Sequence, residues 1–203
     1  WNKNVMLTIN SFDFMQTQSR YHKTKDQLLE ENSFVEASKN DPAKFEHLYN
    51  KYHEQIFRYV YQRMDDKDLA FDVTSQVFMK ALSNIHKYQF RGVPFASWLY
   101  RIAKSELYQS FKESNAKRTV NIETTHVYEI MSEIDEDDNE ALKAQLIKEI
   151  AALPEKDLQL IELRYFEKRS YREIGQIIGL TENNAKVRAY RVLRKLQKRF
   201  QKE

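Results

Sequence analysis

The chain has 203 residues, with three Gly, three Pro and no Cys. The missing thiol excludes disulfides, thiolate metal sites and a cysteine nucleophile and suits a reducing cytosol. The scarcity of chain breakers favours helices, and no apolar run approaches the roughly 20 residues of a membrane-spanning helix. The formal net charge is +3, but residues 181–203 hold eight Lys or Arg against Glu182 and Glu203, a net +6, which leaves −3 for residues 1–180.

Residues 1–24 open with no signal-peptide pattern and are set apart as an N-terminal extension. A helix is expected over 26–38, and Asp41-Pro42 then restarts the chain. In the next run, Phe45, Leu48, Tyr49, Tyr52, Ile56, Tyr59, Val60 and Met64 recur at three and four residues, the stripe of an amphipathic helix. "DDKD" at 65–68 interrupts it. Leu69, Val73, Val77, Phe78 and Leu82 mark the buried side of a further helix. "RGVP" at 91–94 is a loop signal. A helix follows, with Phe95, Trp98, Leu99, Ile102, Ala103 and Leu107 on its apolar side.

Residues 115–139 lose this periodicity, and 129–140 hold seven acids and no base, so 115–139 are expected to form an acidic linker. From Glu140 onward four short helices are expected, with Pro154 separating the first two. The fold class is therefore all-α: two small helical domains, 25–114 and 140–203, joined by a flexible acidic linker.

Within the second domain, "SYREIGQIIGLTENNAKVRAYRVLRKL" has the layout of a helix-turn-helix. A short amphipathic helix ends at Gly179, which can take the left-handed conformation. Leu180 fills the turn, and Thr181 suits the N-cap of the second helix. At about 100° per residue, Ala185, Ala189, Val192, Leu193, Leu196 and Phe200 share one face of that helix. Asn183, Asn184, Val187, Arg191, Arg194 and Lys198 lie opposite, with Lys186 and Arg188 flanking. A helix in the major groove reads base edges with its N-terminal residues, where Asn and Arg have paired hydrogen-bond geometry and Val can meet a thymine methyl. A solvated basic face on an ordinary surface helix is the alternative.

A second basic stretch, 87–118, holds seven Lys or Arg against Glu106 and Glu113, with seven aromatic residues interleaved. Cations that track phosphates and rings that stack unpaired bases are the composition of a single-strand platform. Tyr88, Phe90 and Arg91 lie in or beside the loop and are the better candidates, whereas Phe95, Trp98 and Phe111 suit the core of their own helix.

In order and spacing these segments resemble a sigma factor of bacterial RNA polymerase, of the extracytoplasmic-function (ECF) class. "FEHLYNKYHEQIFRYV", "DLAFDVTSQVFMKAL" and "PFASWLYRIAK" resemble the family's second region, and "LPEKDLQLIELRYFEKRSYREIGQIIGLTENNAKVRAYRVLRKL" resembles its fourth. The resemblance implies a transcription initiation factor that binds core polymerase, recognises the −10 and −35 promoter elements and helps to open the DNA. It implies that Asp68, Asp72, Gln76 and Phe78 dock on the clamp helices of the largest subunit, and that the flap meets the fourth region. It implies that the loop from Ile85 to Pro94 captures a flipped base of the −10 element. Lys87, Tyr88, Phe90, Arg91, Trp98, Arg101, Lys104 and Lys112 are its expected −10 contacts. Thr181, Asn183, Asn184, Lys186, Val187, Arg188 and Arg191 are its expected −35 contacts. The linker would thread a channel of the polymerase, and an anti-sigma factor is an expected partner. Val77 stands where the family usually has an acid, Ser105 and Gln109 replace the usual Asn and Asp, and Gly175 stands where Ala is common.

The five His show no metal-ligand spacing, and no glycine-rich phosphate loop or nucleophile motif occurs, so neither a metal, a cofactor nor an enzymatic activity is expected. No membrane insertion is expected, and the expected compartment is the cytoplasm. A helix-turn-helix regulator acting without polymerase, and a module that sequesters another regulator, are the rival readings. The acidic segment 65–82 separates them, because a plain regulator has no need of a docking helix.

Overall fold

The computed structural model describes residues 23–64, 66–114, 124–133 and 140–200, and among them there is no strand. The first described helix is α1 (Lys25–Asn40), closed at its start by a reciprocal cap in which Thr24 Oγ1 accepts from Gln27 N at 3.2 Å and Gln27 Oε1 accepts from Thr24 N at 2.9 Å. Asp41 caps the short turn Pro42–Lys44, which leads into α2 (Phe45–Tyr61). Asp66 Oδ1 accepts from the backbone of Asp68 and Leu69 and starts α3 (Lys67–Ser83). A single turn, Ile85–Lys87, and a loop through Pro94 lead to α4 (Ala96–Ser114). These helices bury most of the expected stripes, among them Leu48, Ile56, Tyr59, Val73, Val77, Leu99 and Leu107, but Tyr49 is 39% exposed at the edge of its stripe.

The second half is α6 (Glu140–Ala151), α7 (Glu155–Ile161) continuing into a π-helical turn (Glu162–Phe166), α8 (Tyr171–Ile178) and α9 (Glu182–Phe200). Between the halves lies α5 (Thr124–Glu133), inside the stretch expected to be linker. Its Val127, Ile130 and Met131 are buried, and His126 stacks on Phe166 with ring centroids 4.4 Å apart. Ion pairing of Glu129 with Lys168 adds to this docking. Three apolar residues within five were too short a signal to overcome the acidic composition around them. The acidic run 134–139 lies outside the described residues.

The two halves share one continuous apolar core. Its polar seam is charged. Arg63, at the end of α2, is 3% exposed, lies over the Tyr59 ring at 4.6 Å, and pairs with buried Glu162 of the π turn and with Glu155 at 3.5 Å. Glu167, also buried, takes a hydrogen bond from the Tyr100 hydroxyl at 2.5 Å and one from Arg58 at 3.2 Å. Gln55 Nε2 donates to the same Tyr100 oxygen at 2.7 Å. Burial, then the neighbouring Glu167 charge, pushes the Tyr100 hydroxyl well above its ordinary value of 10.0, so it stays a donor. Helices α4 and α8 pack against each other across this seam.

Candidate nucleic-acid interface

The C-terminal face is built from the α8–turn–α9 unit. Ser170 and Glu173 close the start of α8 reciprocally. At its end Gly179 sits at φ 77°, the left-handed region, and the Gly175 carbonyl accepts from both Gly179 N at 2.9 Å and Leu180 N at 2.8 Å. Gly175 leaves room for that turn: a Cβ there would stand 2.6 Å from the Leu180 carbonyl oxygen. The helix-turn-helix closes over that glycine. Thr181 Oγ1 then accepts from Asn184 N at 3.2 Å and caps α9.

Helix α9 buries Ala185, Ala189, Val192, Leu193 and Leu196, as its periodicity predicts, while the Phe200 side chain lies outside the described residues. Thr181, Asn183, Asn184, Lys186, Val187, Arg191, Arg194 and Lys198 are exposed. Arg188 is placed differently. It is half-buried, and its Nε and a terminal nitrogen reach Asp157 Oδ1 of α7 at 2.8 and 2.7 Å. Arg188 therefore braces the helix against α7 and does not stand free on its exposed face. Tyr190, 40% exposed among these cations, was missed because an aromatic residue beside an apolar stripe reads as core.

The N-terminal face surrounds the loop before α4. Tyr88 is 7% exposed and meets Phe95 and Trp98 edge-on at 5.2 and 5.3 Å, so it supports the loop from inside instead of offering a free stacking face. Burial, and then the Glu31 charge, raises its hydroxyl above the ordinary 10.0. Phe90 and Trp98 are half-buried, and Lys87 and Arg91 are exposed. Lys87 Nζ donates to Asn84 at 2.8 Å. A small cavity of about 70 Å³ lies here, with Lys87, Arg91, Trp98, Arg101, Ser97 and Gln176 of α8 among its walls. Arg91 approaches Gln176 Oε1 at 3.5 Å, and Arg172 lies over Gly92, so the C-terminal half closes this cavity.

Along α4, Arg101, Lys104 and Lys112 fall on one side, and Tyr108, 73% exposed, projects among them. Burial lowers the Lys104 ammonium below its ordinary 10.5, against the raising effect of Glu155. Beneath the loop is a group that sequence reasoning missed. Glu31 of α1 is 3% exposed, accepts from Phe95 N at 2.8 Å, and is met by Tyr52, Lys23 and, at 3.0 Å, Lys51. Burial pushes its carboxyl up, but the Lys23 and Tyr52 hydrogen bonds outweigh it and hold the group below its ordinary 4.5. A Glu in a charged helix carries no sequence signal for such a role.

A third face is acidic. On α3, Asp68, Asp72 and Gln76 are exposed at four-residue spacing, and among the described residues neither Asp forms an ion pair. Met79, 68% exposed, continues the stripe, and Phe71 flanks it, stacked on Phe57 at 4.2 Å. Phe78 is buried at 4% against Tyr49 at 4.9 Å, and so backs the helix from the core.

Comparison with known proteins matches the chain to two family models. Residues 48–117 match Sigma-70 region 2 and residues 143–196 match Sigma-70, region 4, together well over half of the chain. The chain is 29% identical over 154 residues to the ECF RNA polymerase sigma factor BldN of Streptomyces coelicolor, covering 75% of this chain and 58% of BldN. It is 26% identical over 166 residues to the RNA polymerase sigma factor YlaC of Bacillus subtilis, covering 77% of this chain and 92% of that one. The solved structure of CnrH in complex with the cytosolic domain of CnrY shares the fold, with a TM-score of 0.57 at 15% identity over 84% of this chain and 97% of that one. The chain belongs to the sigma-70 family of RNA polymerase sigma factors, in its ECF class. It is a non-enzymatic transcription initiation factor whose partners are core RNA polymerase and promoter DNA. No described helix is long and apolar enough to cross a membrane.

Proposed function

We propose that the three faces divide the work of initiation. The α3 stripe of Asp68, Asp72 and Gln76, extended by Met79 and backed by Phe78, docks on the arginine-rich clamp helices of the polymerase largest subunit, while the fourth-region half meets the flap. The α9 face reads the −35 element through Asn183, Asn184, Lys186, Val187 and Arg191, with Thr181 fixing the start of the helix and Arg188 fixing its tilt. Lys87, Phe90, Arg91 and Trp98 hold an unpaired −10 base over the Tyr88 support, and Arg101, Lys104 and Lys112 follow the adjoining phosphates. The observation that carries this reading is the pairing of an acidic stripe and two cationic faces on one chain, with Asp68, Asp72, Arg101 and Arg191 all exposed and outside the described ion pairs.

The two elements lie roughly 25 base pairs apart, about 85 Å at 3.4 Å per pair. A compact chain of this size has a radius of gyration of about 17 Å. The α4–α8 packing must therefore open before both elements can be held, and the closed form is a resting state of the factor. The acidic linker would then span the polymerase channel. Work in the cytoplasm, and control by an anti-sigma factor, belong to the same reading; CnrH was solved in complex with a protein domain called cytosolic.

The test mixes the full chain with purified core polymerase and asks for co-migration on a sizing column and promoter-specific run-off transcripts. Both are expected. DNA binding without co-migration would favour a plain regulator, and co-migration without transcripts would favour a sequestering module. Arg191→Ala is expected to weaken promoter binding by about 1–3 kcal/mol and relax preference at one −35 position; unchanged affinity and preference would remove Arg191 from base reading.

A further inference from the structure

The cavity beside the loop has one wall that none of the contacts above uses. Ser97, the second residue of α4, lines it and is 3% exposed. Its backbone is satisfied, since Ser97 N donates to Pro94 O at 2.9 Å. Its hydroxyl is not: Oγ is enclosed and has no hydrogen-bond partner. Buried hydroxyls are nearly always paired, because an orphaned one forfeits its bonds to water. Ser in a helix usually satisfies itself by bonding a carbonyl one turn back, as Thr74 does to Ala70 at 2.7 Å and Ser75 does to Phe71 at 2.9 Å in α3. Ser97 has no such outlet, because the residues before it form the loop.

The surroundings say what the hydroxyl would meet. The Trp98 ring supplies an apolar wall, and Lys87, Arg91 and Arg101 supply positive charge at the rim. A flat, polar-edged ring tied to a phosphate fits that combination, with the ring on Trp98 and the phosphate at the rim cations. A hydroxyl can donate and accept, so it can pair with the edge of a nucleobase. Gln176 forms part of the wall in the closed form, so release of α8 from the loop widens the opening.

We infer that Ser97 Oγ is a specificity-determining group that hydrogen-bonds the edge of the single unstacked base held in this cavity. The inference rests on the reading of the loop as a −10 base pocket. Its hydroxyl is unpaired in the closed factor because its partner is the nucleic acid.

The test uses holoenzyme assembled from core polymerase and the full chain, on a promoter set carrying each of the four bases at each −10 position. Strand opening is followed by permanganate reactivity. Ser97→Ala is expected to lower discrimination at one position by about threefold to tenfold, the worth of one neutral hydrogen bond. Affinity for core polymerase and preference at −35 should stay as they are, and the melting temperature should hold or rise, because an orphaned polar group has been removed. A residue that only packs would behave in the opposite way, with a lower melting temperature and a uniform loss of opening on every promoter; that result would overturn the inference. So would Ser97→Ala with unaltered preference at every position. Arg91→Ala, at an exposed site, separates the two levels. If it changes −10 opening while Ser97→Ala does not, the pocket stands and only the role of Ser97 falls. If neither variant alters −10 opening, the pocket reading itself is wrong.

Discussion

The two cationic surfaces proposed to face DNA are built by opposite means. The C-terminal one is carried by a single helix, whose 3.6-residue period sends Ala185, Ala189 and Val192 inward and leaves Asn183, Val187 and Arg191 outside. The N-terminal one is carried by a loop that has no period of its own. Its shape is fixed from beneath by the Glu31 carboxylate on Phe95 N and by the edge-on contacts of Tyr88 with Phe95 and Trp98. A surface on a helix inherits its geometry from the backbone, whereas a surface on a loop depends on buried groups far away in sequence.

Where the halves meet, the difference can be broken most forcefully. Arg63 is the link, since its guanidinium is held by Glu162 and Glu155 of the C-terminal half and by the Tyr59 ring of its own. Arg63→Ala leaves Glu162 buried without its counter-charge, and a loss of about 3–5 kcal/mol is expected, read as a lower urea midpoint. Replacing both partners, as Arg63→Met with Glu162→Leu, should recover much of that loss. A single Arg63→Ala variant as stable as the parent would show that the halves are not joined through this pair.

The same contrast decides what the sequence made legible. Helices α2, α3, α4 and α9 follow from apolar spacing alone, and the helix-turn-helix follows from Gly179, Leu180 and Thr181 in succession. The interface between halves did not, because Arg63, Glu162 and Glu167 look like ordinary helix-surface charges until tertiary packing buries them. Helix α5 was hidden by acidic neighbours, and Tyr88 was expected outside because it sits in a segment rich in functional signals, whereas Phe78 is buried where its apolar spacing puts it. Arg188 was expected on the reading face, but Asp157 lies 31 positions away, beyond any periodic pattern.

Beneath the loop, Glu31 gives a sharper test that uses pH. Its carboxyl is held below the ordinary 4.5 in the folded chain, so the stability it supplies is fully present above that value. It is lost as pH falls through the lower folded value. Glu31→Gln, which keeps the shape and removes the charge, is expected to cost about 1.5–3 kcal/mol at neutral pH, the scale of hydrogen bonds to a charged group. The gap between parent and variant should narrow as the solution is acidified below about pH 4.5. A gap constant from neutral pH to pH 3 would mean that the charge of Glu31 does nothing for the loop.

At the C-terminal surface the smallest effect carries the clearest sign. Intrinsic helix propensity ranks Ala above Gly by about 1 kcal/mol, so Gly175→Ala in α8 should stabilise if only the helix matters. The fold points the other way. A Cβ at 175 would stand 2.6 Å from the Leu180 carbonyl oxygen and 3.2 Å from the Thr181 carbonyl carbon, and both are backbone atoms of the turn that sets where α9 begins. They can yield only by moving α9. A loss of about 1–3 kcal/mol in urea unfolding is expected, the usual range for overpacking, with weaker binding to −35 DNA because Thr181 and Asn183 shift with the turn. Stabilisation by Gly175→Ala would show that α8 and α9 can part slightly without cost, and that α9 is held by its apolar face alone.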